Sequence, residues 1–338
     1  MSLFKYAGRR LLLMLIVIIG VLVITFIISR NVPGDPLVAN LGQTAMSNPE
    51  IVARYEARWG LDKPVVEQFF VYLRNLSQGD LGTSIRTKQP VTADLAKYFP
   101  GTIELATLAT LFSIVFGLAF GVFSAAKRNT LWDQGIRVVS LVGLSIPAFW
   151  LALLLLYAFY FLWGVAPGSG RVSIQFMQFK GATGFLILDS LLQGRFDVLK
   201  DAFAHMILPA IVLAASSMGV MTRTVRSSML DVMSQDYLRT ARAKGLNERQ
   251  VMTGHVIRNG LIPSVTMFGL SYGSLLGGTV LVETIFDYPG LGWYAYRSAT
   301  NLDFPAILGG TLLIAVINCV MTLVVDLIYA AIDPRIRY

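Results

Sequence analysis

Six apolar runs divide the 338-residue chain, at residues 11–29, 102–125, 136–163, 204–221, 261–281 and 306–325. The first is an uninterrupted stretch of nineteen residues. At roughly −0.3 to −0.6 kcal/mol for each strongly apolar residue near a bilayer centre, such a run inserts. It is too long for a signal-peptide core and has no small-x-small cleavage site before Arg30, so it reads as a retained span. The second run carries Glu104 near its outer end, either as an interfacial carboxylate or as a substrate-pathway group. Its Gly117, Ala119 and Gly121 let a neighbouring helix pack close. The third is broken by Pro147, whose missing N–H kinks a helix. That kink helps a span line a cavity, although a kink without function fits equally. Pro209 stands near the start of the fourth run. The fifth holds Gly269, Ser271, Gly273, Ser274, Gly277 and Gly278, the composition of a helix at a crowded centre, and is the best pointer to a pore-lining element. The sixth contains Asn318, expected to bond a neighbouring helix, and ends at Asp326.

The polar intervals are as informative as the spans. Residues 30–99 balance eight Lys and Arg against seven Asp and Glu. They mix turn signals, Pro33-Gly34-Asp35-Pro36 and Gly79-Asp80-Leu81-Gly82, with a helix-like stretch at 65–76, which predicts a small ordered domain. A short apolar piece at 185–192 contains Asp189 and cannot cross; it is expected at the interface or against that domain. Residues 283–305 open on Glu283, and Pro289-Gly290-Leu291-Gly292 is turn chemistry.

The polar interval 234–263, the longest among the closely spaced apolar spans, predicts two short helices broken by a glycine. Ser234 is placed as the N-cap, Asp236 in the first turn, Lys244 in the last turn and Gly245 at C′. Asn247 followed by Gln250 forms a capping-box signal for a second helix toward Asn259. Small groups at Thr240, Ala241 and Ala243 alternate with Arg239, Arg242 and Lys244, so a partner could approach the backbone closely in a groove. A basic loop that only fixes topology is the competing reading. The predicted organisation is a first span at 1–30, an outer domain at 31–99, and a core at 100–333 with five further spans and an inner loop at 223–260.

Composition fixes the class. With 55% hydrophobic and 14% charged residues the chain has too few charges to clothe a soluble globule, which makes it an all-α integral membrane protein. The net charge of +8 is spread over loops rather than gathered with aromatics on one face, which argues against nucleic acid. One cysteine, Cys319, and two distant histidines, His205 and His255, argue against a disulfide and a metal centre. Placing both termini, the 126–135 turn with the adjoining Arg137, and the 223–260 loop on the cytoplasmic side gathers fifteen of the 28 Lys and Arg into short segments.

The run DYLRTARAKGL, followed by HVIRN and LIP, resembles the cytoplasmic coupling loop of ABC-importer permeases of the dipeptide/oligopeptide/nickel branch. That loop's hallmark is Glu-Ala-Ala, three residues, Gly. Alignment on Gly245 puts Arg239, Thr240 and Ala241 under the triplet, so the acid is absent and one alanine is kept. PGDP, WGLDKP and GDLGTS resemble the first external region of the same permeases, and ETIFDYPGLGW resembles a re-entrant gate segment before the last span. The alternative for that last segment is a plain surface loop.

The resemblance implies type I ABC importer permease architecture with six transmembrane helices in a bacterial plasma (inner) membrane. It implies a second related permease, two ABC ATPases and an external solute-binding protein as partners. Contact with the ATPases is expected at Tyr237, Arg239, Thr240, Ala241, Arg242, Ala243, Lys244 and Gly245. Glu104, Pro147, Gly273, Gly277, Glu283, Pro289 and Gly290 are the candidates for the translocation path and gate. Peptides are the commonest substrates of this branch, and nickel chelates, opines, glutathione and oligosaccharides use similar chains.

No GxxxxGK[ST] occurs, nor even a Gly-Lys dipeptide, so the chain has no P-loop for ATP. ATP and magnesium are expected on partner subunits, with no cofactor held here and no enzymatic activity in this chain. An ATP-independent secondary transporter or channel is the alternative. It predicts internal repeats and intramembrane ion-coupling residues, and the sequence displays neither a convincing repeat nor a central charged pair.

Overall fold

Where no water reaches the backbone, every amide must bond within its own segment, so the apolar runs of this chain become helices. The computed structural model describes residues 3–31 and 48–332. In chain order these form α1 (Leu3–Asn31), α2 (Pro49–Trp59), α3 (Val65–Ser77), α4 (Val91–Ala126), α5 (Leu131–Ser145) and α6 (Ala148–Leu162). Then follow α7 (Leu186–Leu192), α8 (Phe196–Met233), α9 (Asp236–Ala243), α10 (248–260), α11 (Ile262–Ile285), α12 (Leu291–Thr300) and α13 (Phe304–Ile332). The turn signal at Pro33–Pro36, the tail residues Asp333, Arg335 and Arg337, and the side-chain surroundings of Asp326 and Gly277 lie outside the described residues.

Among the described residues, four helical stretches are long and apolar enough to cross a membrane: Gly8–Arg30, Val91–Ala126, Phe196–Met233 and Phe304–Val324. The pair α5 and α6 makes a fifth if counted as one crossing. Helix α11 is continuous over 24 residues.

Helices α4 and α8 are the axis of the fold, and glycine brings them together. A methyl on Gly117 would stand 2.6 Å from the Met221 side chain, and one on Gly121 would stand 2.6 Å from Val225. Gly219 of α8 likewise lies against the Ser140 carbonyl of α5, and Gly143 of α5 against the Ala215 carbonyl. The expected small-residue contact holds at 117 and 121. Ala119, on the other side of the helix, is exposed.

Pro147 does more than kink a span. Ile146 is extended (φ −77, ψ 125), as a residue before proline prefers, and the two helices on either side are bent by 108°. Helix α5 also starts earlier than the 136 boundary, because Thr130 caps it by accepting from the Asp133 N–H, so the basic turn is shorter than expected. Helix α7 packs on α8 and α4 rather than on the 48–90 segment. Among the described residues, the Asn318 amide donates to Ile314 O one turn back at 3.0 Å.

Residues 65–77 are helical as the pattern predicts, and Gly79 and Gly82 take the positive φ of the predicted turn. Helix α3 packs through Phe69 and Tyr72 against Phe26 of α1, with Leu22 and Leu308 of α13 in the same cluster.

Candidate functional site

The coupling candidate is built from local rules. Gly245 adopts φ +85, its N–H donates to Arg242 O at 2.9 Å, and the Leu246 N–H donates to Ala241 O at 3.4 Å. This is a Schellman ending, and it turns the chain sharply because only glycine takes that conformation cheaply. Asn247 and Gln250 form the predicted reciprocal capping box that starts α10. The N-cap of α9 is Gln235, not Ser234. The Ser234 hydroxyl donates instead to Asp231 O at 2.7 Å, closing the end of α8, which runs farther than the apolar pattern suggested.

One face of α9 is inside the protein. Leu238 and Ala241 join a buried cluster with Ala125 of α4, Met221, Val225 and Met229 of α8, and Val251 and Val256 of α10. The knuckle is thereby fastened to the ends of both axial helices. Tyr237, Arg239, Thr240, Ala243, Lys244 and Gly245 are exposed on the other side. Arg242 bends back to Glu248, with Nε to Oε1 at 2.6 Å, and this hydrogen bond holds the Glu248 carboxyl below its ordinary range. Of the eight coupling candidates, six therefore form an outward surface, while Ala241 and Arg242 serve the knuckle itself. The tyrosine hydroxyl of Tyr237 accepts from the Asn259 amide at 3.0 Å, tying α9 to the end of α10.

The gate candidates assemble at the opposite end of the axial helices. Glu283, fully buried at the end of α11, accepts the Thr102 hydroxyl at 2.7 Å and the Trp293 N–H at 2.9 Å. Thr102 in turn accepts the Leu291 N–H at 2.7 Å. The first turn of α12 thus receives its caps from two other helices, because its own N-cap, Gly290, has no side chain to give. A methyl on Gly290 would stand 2.5 Å from the Glu283 carboxylate, and one on Gly101 would stand 2.6 Å from Pro289 O. The 286–294 segment is consequently a tightly packed turn, with Phe286, Tyr288, Leu291 and Tyr294 buried, and not a plain surface loop.

Glu104 completes this clamp. It accepts from Arg171 at 2.6 Å and from the Ile187 N–H at 2.7 Å, so one carboxylate holds both the 164–185 segment and the first turn of α7. Arg171 also lies 5.9 Å from the Tyr288 ring centre, which links the Glu104 and Glu283 clusters. Burial pushes the Tyr288 hydroxyl upward, so it stays protonated beside that guanidinium. Arg171 itself gave no signal in sequence, since its value comes from the fold alone.

Pro147 and Gly273 do not join the clamp. Pro147 forms the α5–α6 bend, and among the described residues a methyl on Gly273 would meet Met321, at 3.9 Å. A further charged pair, Asp133 and Arg226, was not paired by the sequence. Asp133 accepts from Nε and Nη2 of Arg226, at 2.8 and 2.9 Å, and from the Ser124 hydroxyl at 2.5 Å, joining α5, α8 and α4.

Comparison with known proteins identifies the family. Residues 117–338 match the family described as binding-protein-dependent transport system inner membrane component, and residues 3–106 match that family's N-terminal region. The chain is 42% identical over 334 residues to the di/tripeptide transport system permease protein DppB of Pseudomonas aeruginosa, covering 99% of each. It is 43% identical over 323 residues to the probable D,D-dipeptide transport system permease protein DdpB of Escherichia coli K12, covering 96% of this chain and 94% of that one. With the oligopeptide transport system permease protein AppB of Bacillus subtilis it shares 38% over 338 residues, covering 98% and 99%. Among solved structures, a chain of the inward-facing MetNI methionine ABC transporter aligns with 67% of this chain and 92% of its own, at TM-score 0.46 and 16% identity. The chain belongs to the family of inner membrane components of binding-protein-dependent transport systems.

Proposed function

We propose that this chain is one permease half of an ATP-driven importer of di- and oligopeptides. Six crossings, by α1, α4, the bent α5–α6 pair, α8, α11 and α13, put both termini and the α9–α10 knuckle in the cytoplasm of a bacterium. Residues 48–90, the 163–195 segment and α12 then lie outside, where an external binding protein delivers substrate. A second related permease supplies the other half of the path, and two ABC ATPases hold the nucleotide and magnesium. Peptides are the substrate class because the relatives similar over nearly the whole chain are named for di-, tri- and oligopeptide transport.

One observation carries the coupling role. Helix α9 is anchored by Leu238 and Ala241 to the ends of α4 and α8 while Tyr237, Arg239, Thr240, Ala243 and Lys244 face outward. A partner that grips the outer face and moves therefore moves the axial helices, and the outer clamp is attached to those same helices. To swing such an equilibrium from 1:99 to 99:1, docking must differ between the two states by about 5.5 kcal/mol.

The test is uptake by the four-subunit complex in vesicles containing ATP. The pair Arg239→Glu and Lys244→Glu should lower dipeptide uptake more than tenfold and leave the complex inserted. Normal uptake in that variant removes the coupling role from α9, and uphill uptake by this chain without any ATPase removes the importer reading.

A further inference from the structure

A cavity of about 250 Å³ lies between α5 and α8. Its shape follows from where the two helices touch. They meet at Ser140 and Gly219, and are tied again two turns away by Asp133 and Arg226. The cavity runs alongside these contacts, which span roughly 11 Å of helix. The walls carry Arg137, Thr222 and Arg223 in addition to Ser140 and Arg226.

The chemistry of these walls is unbalanced. Arg226 is committed to Asp133, and Arg137 reaches that carboxylate only at 3.8 Å. Arg223 makes no ion pair among the described residues. Three guanidiniums thus face one carboxylate. The hydroxyls of Ser140 and Thr222 are also buried without a hydrogen-bond partner, each on a residue more than nine-tenths buried. An unpaired buried hydroxyl is costly, and a bound anion with several acceptor oxygens relieves it while pairing with the exposed guanidiniums of Arg137 and Arg223. Beside the cavity, Val138, Leu141 and Val142 of α5 are exposed at 58, 55 and 48%, so an anion bound there would continue into an apolar surface.

We propose that this cavity binds the phosphodiester of an anionic phospholipid of the cytoplasmic leaflet, with the acyl chains along the apolar face of α5. Arg137 and Arg223 take the phosphate oxygens, and Ser140 and Thr222 donate from the wall. The choice of leaflet rests on the orientation proposed above; the presence of the site does not. Because α5 and α8 are the elements wedged by the headgroup, and α8 carries the knuckle, the lipid would set the spacing of helices that move during transport.

The test uses the intact complex and reads lipid retention, which is independent of transport. Complex extracted from membranes and analysed by native mass spectrometry should retain phosphatidylglycerol. The double variant Arg137→Gln with Arg223→Gln should retain at least tenfold less, and Arg137→Lys with Arg223→Lys should recover most of it. If the glutamine pair fails to assemble, Thr222→Val with Ser140→Ala serves instead, with a loss of at least threefold expected. Phosphatidylcholine should not substitute, and 10 mM inorganic phosphate, on the order of a competing free anion, should not displace the bound lipid. Equal retention in wild type and variants overturns the proposal. So does displacement by inorganic phosphate, which would mark the site as one for a soluble anion, or occupancy of the cavity by a carboxylate of the second permease in a structure of the complex.

Discussion

Thr102 and Glu283, 181 residues apart, are joined by a hydrogen bond of 2.7 Å, and the same threonine oxygen accepts the N–H of Leu291. This single hydroxyl fastens α4 to the end of α11 and to the start of α12. A buried carboxylate is tolerated there because the exposed amides at a helix start, and a hydroxyl, point at it. Helix ends are ordinarily capped by the residue before them; here the cap comes from elsewhere in the fold, so the turn exists only when three helices are already in place.

Replacing Thr102 by Val removes a donor and an acceptor together while preserving shape. The expected loss is about 1–3 kcal/mol, read as a lower Tm of the purified protein. Thr102→Ser should lie near wild type, and equality of the valine and serine variants would contradict this account.

The pair Arg171 and Glu104 is largely enclosed, with side-chain exposures of 14 and 8%. Truncating one partner leaves a buried charge uncompensated, so Arg171→Met should cost about 3–5 kcal/mol. The double variant Arg171→Met with Glu104→Gln should be more stable than Arg171→Met alone, because no orphaned carboxylate remains. A double-mutant cycle on thermal unfolding gives the sign, and additivity of the two changes would show that the pair does not interact.

Three glycines separate three kinds of constraint. Gly121→Ala drives a methyl into Val225 at 2.6 Å and should cost about 1–3 kcal/mol. Gly245→Ala meets nothing within 4 Å but forces an L-residue to φ +85, at about 1–2 kcal/mol. Gly135→Ala, inside α5 with nothing within 4 Å and no positive φ, should stabilise by about 0.5–1 kcal/mol. Thermal unfolding of the three variants should rank them in that order.

The pH response of the knuckle follows from Glu248. Its folded carboxyl titrates below the ordinary 4.5 because Arg242 donates to it, so the contribution is fully present above pH 4.5 and fades as pH falls through the folded value. Hydrogen exchange of residues 236–250, corrected for the intrinsic pH dependence, should show protection dropping below pH 4.5 in wild type. In Glu248→Gln that drop should be absent. An unchanged drop in the glutamine variant would assign it to another group.

What the sequence determined by itself was everything governed by nearest neighbours. Apolar runs of membrane length, the Asn247 and Gln250 capping box, the left-handed Gly245 and the close packing at Gly117 and Gly121 all follow from short-range spacing and steric size. The resemblance of the 236–246 and 283–293 motifs, which are themselves local, pointed to the family later shown by comparison. The rest was decided by tertiary structure, since it depends on residues far apart in sequence. Nothing local says that Glu104 will meet Arg171, that Thr102 will cap α12, or that Ala241 will turn inward while Ala243 turns outward. Pro147 announced an irregularity, but a bend of 108° rather than a mild kink required Ile146 to be extended and α5 to be held along α8 by Gly143 and Gly219. Charge in a low-dielectric interior must find a partner, and only the folded chain chooses which one.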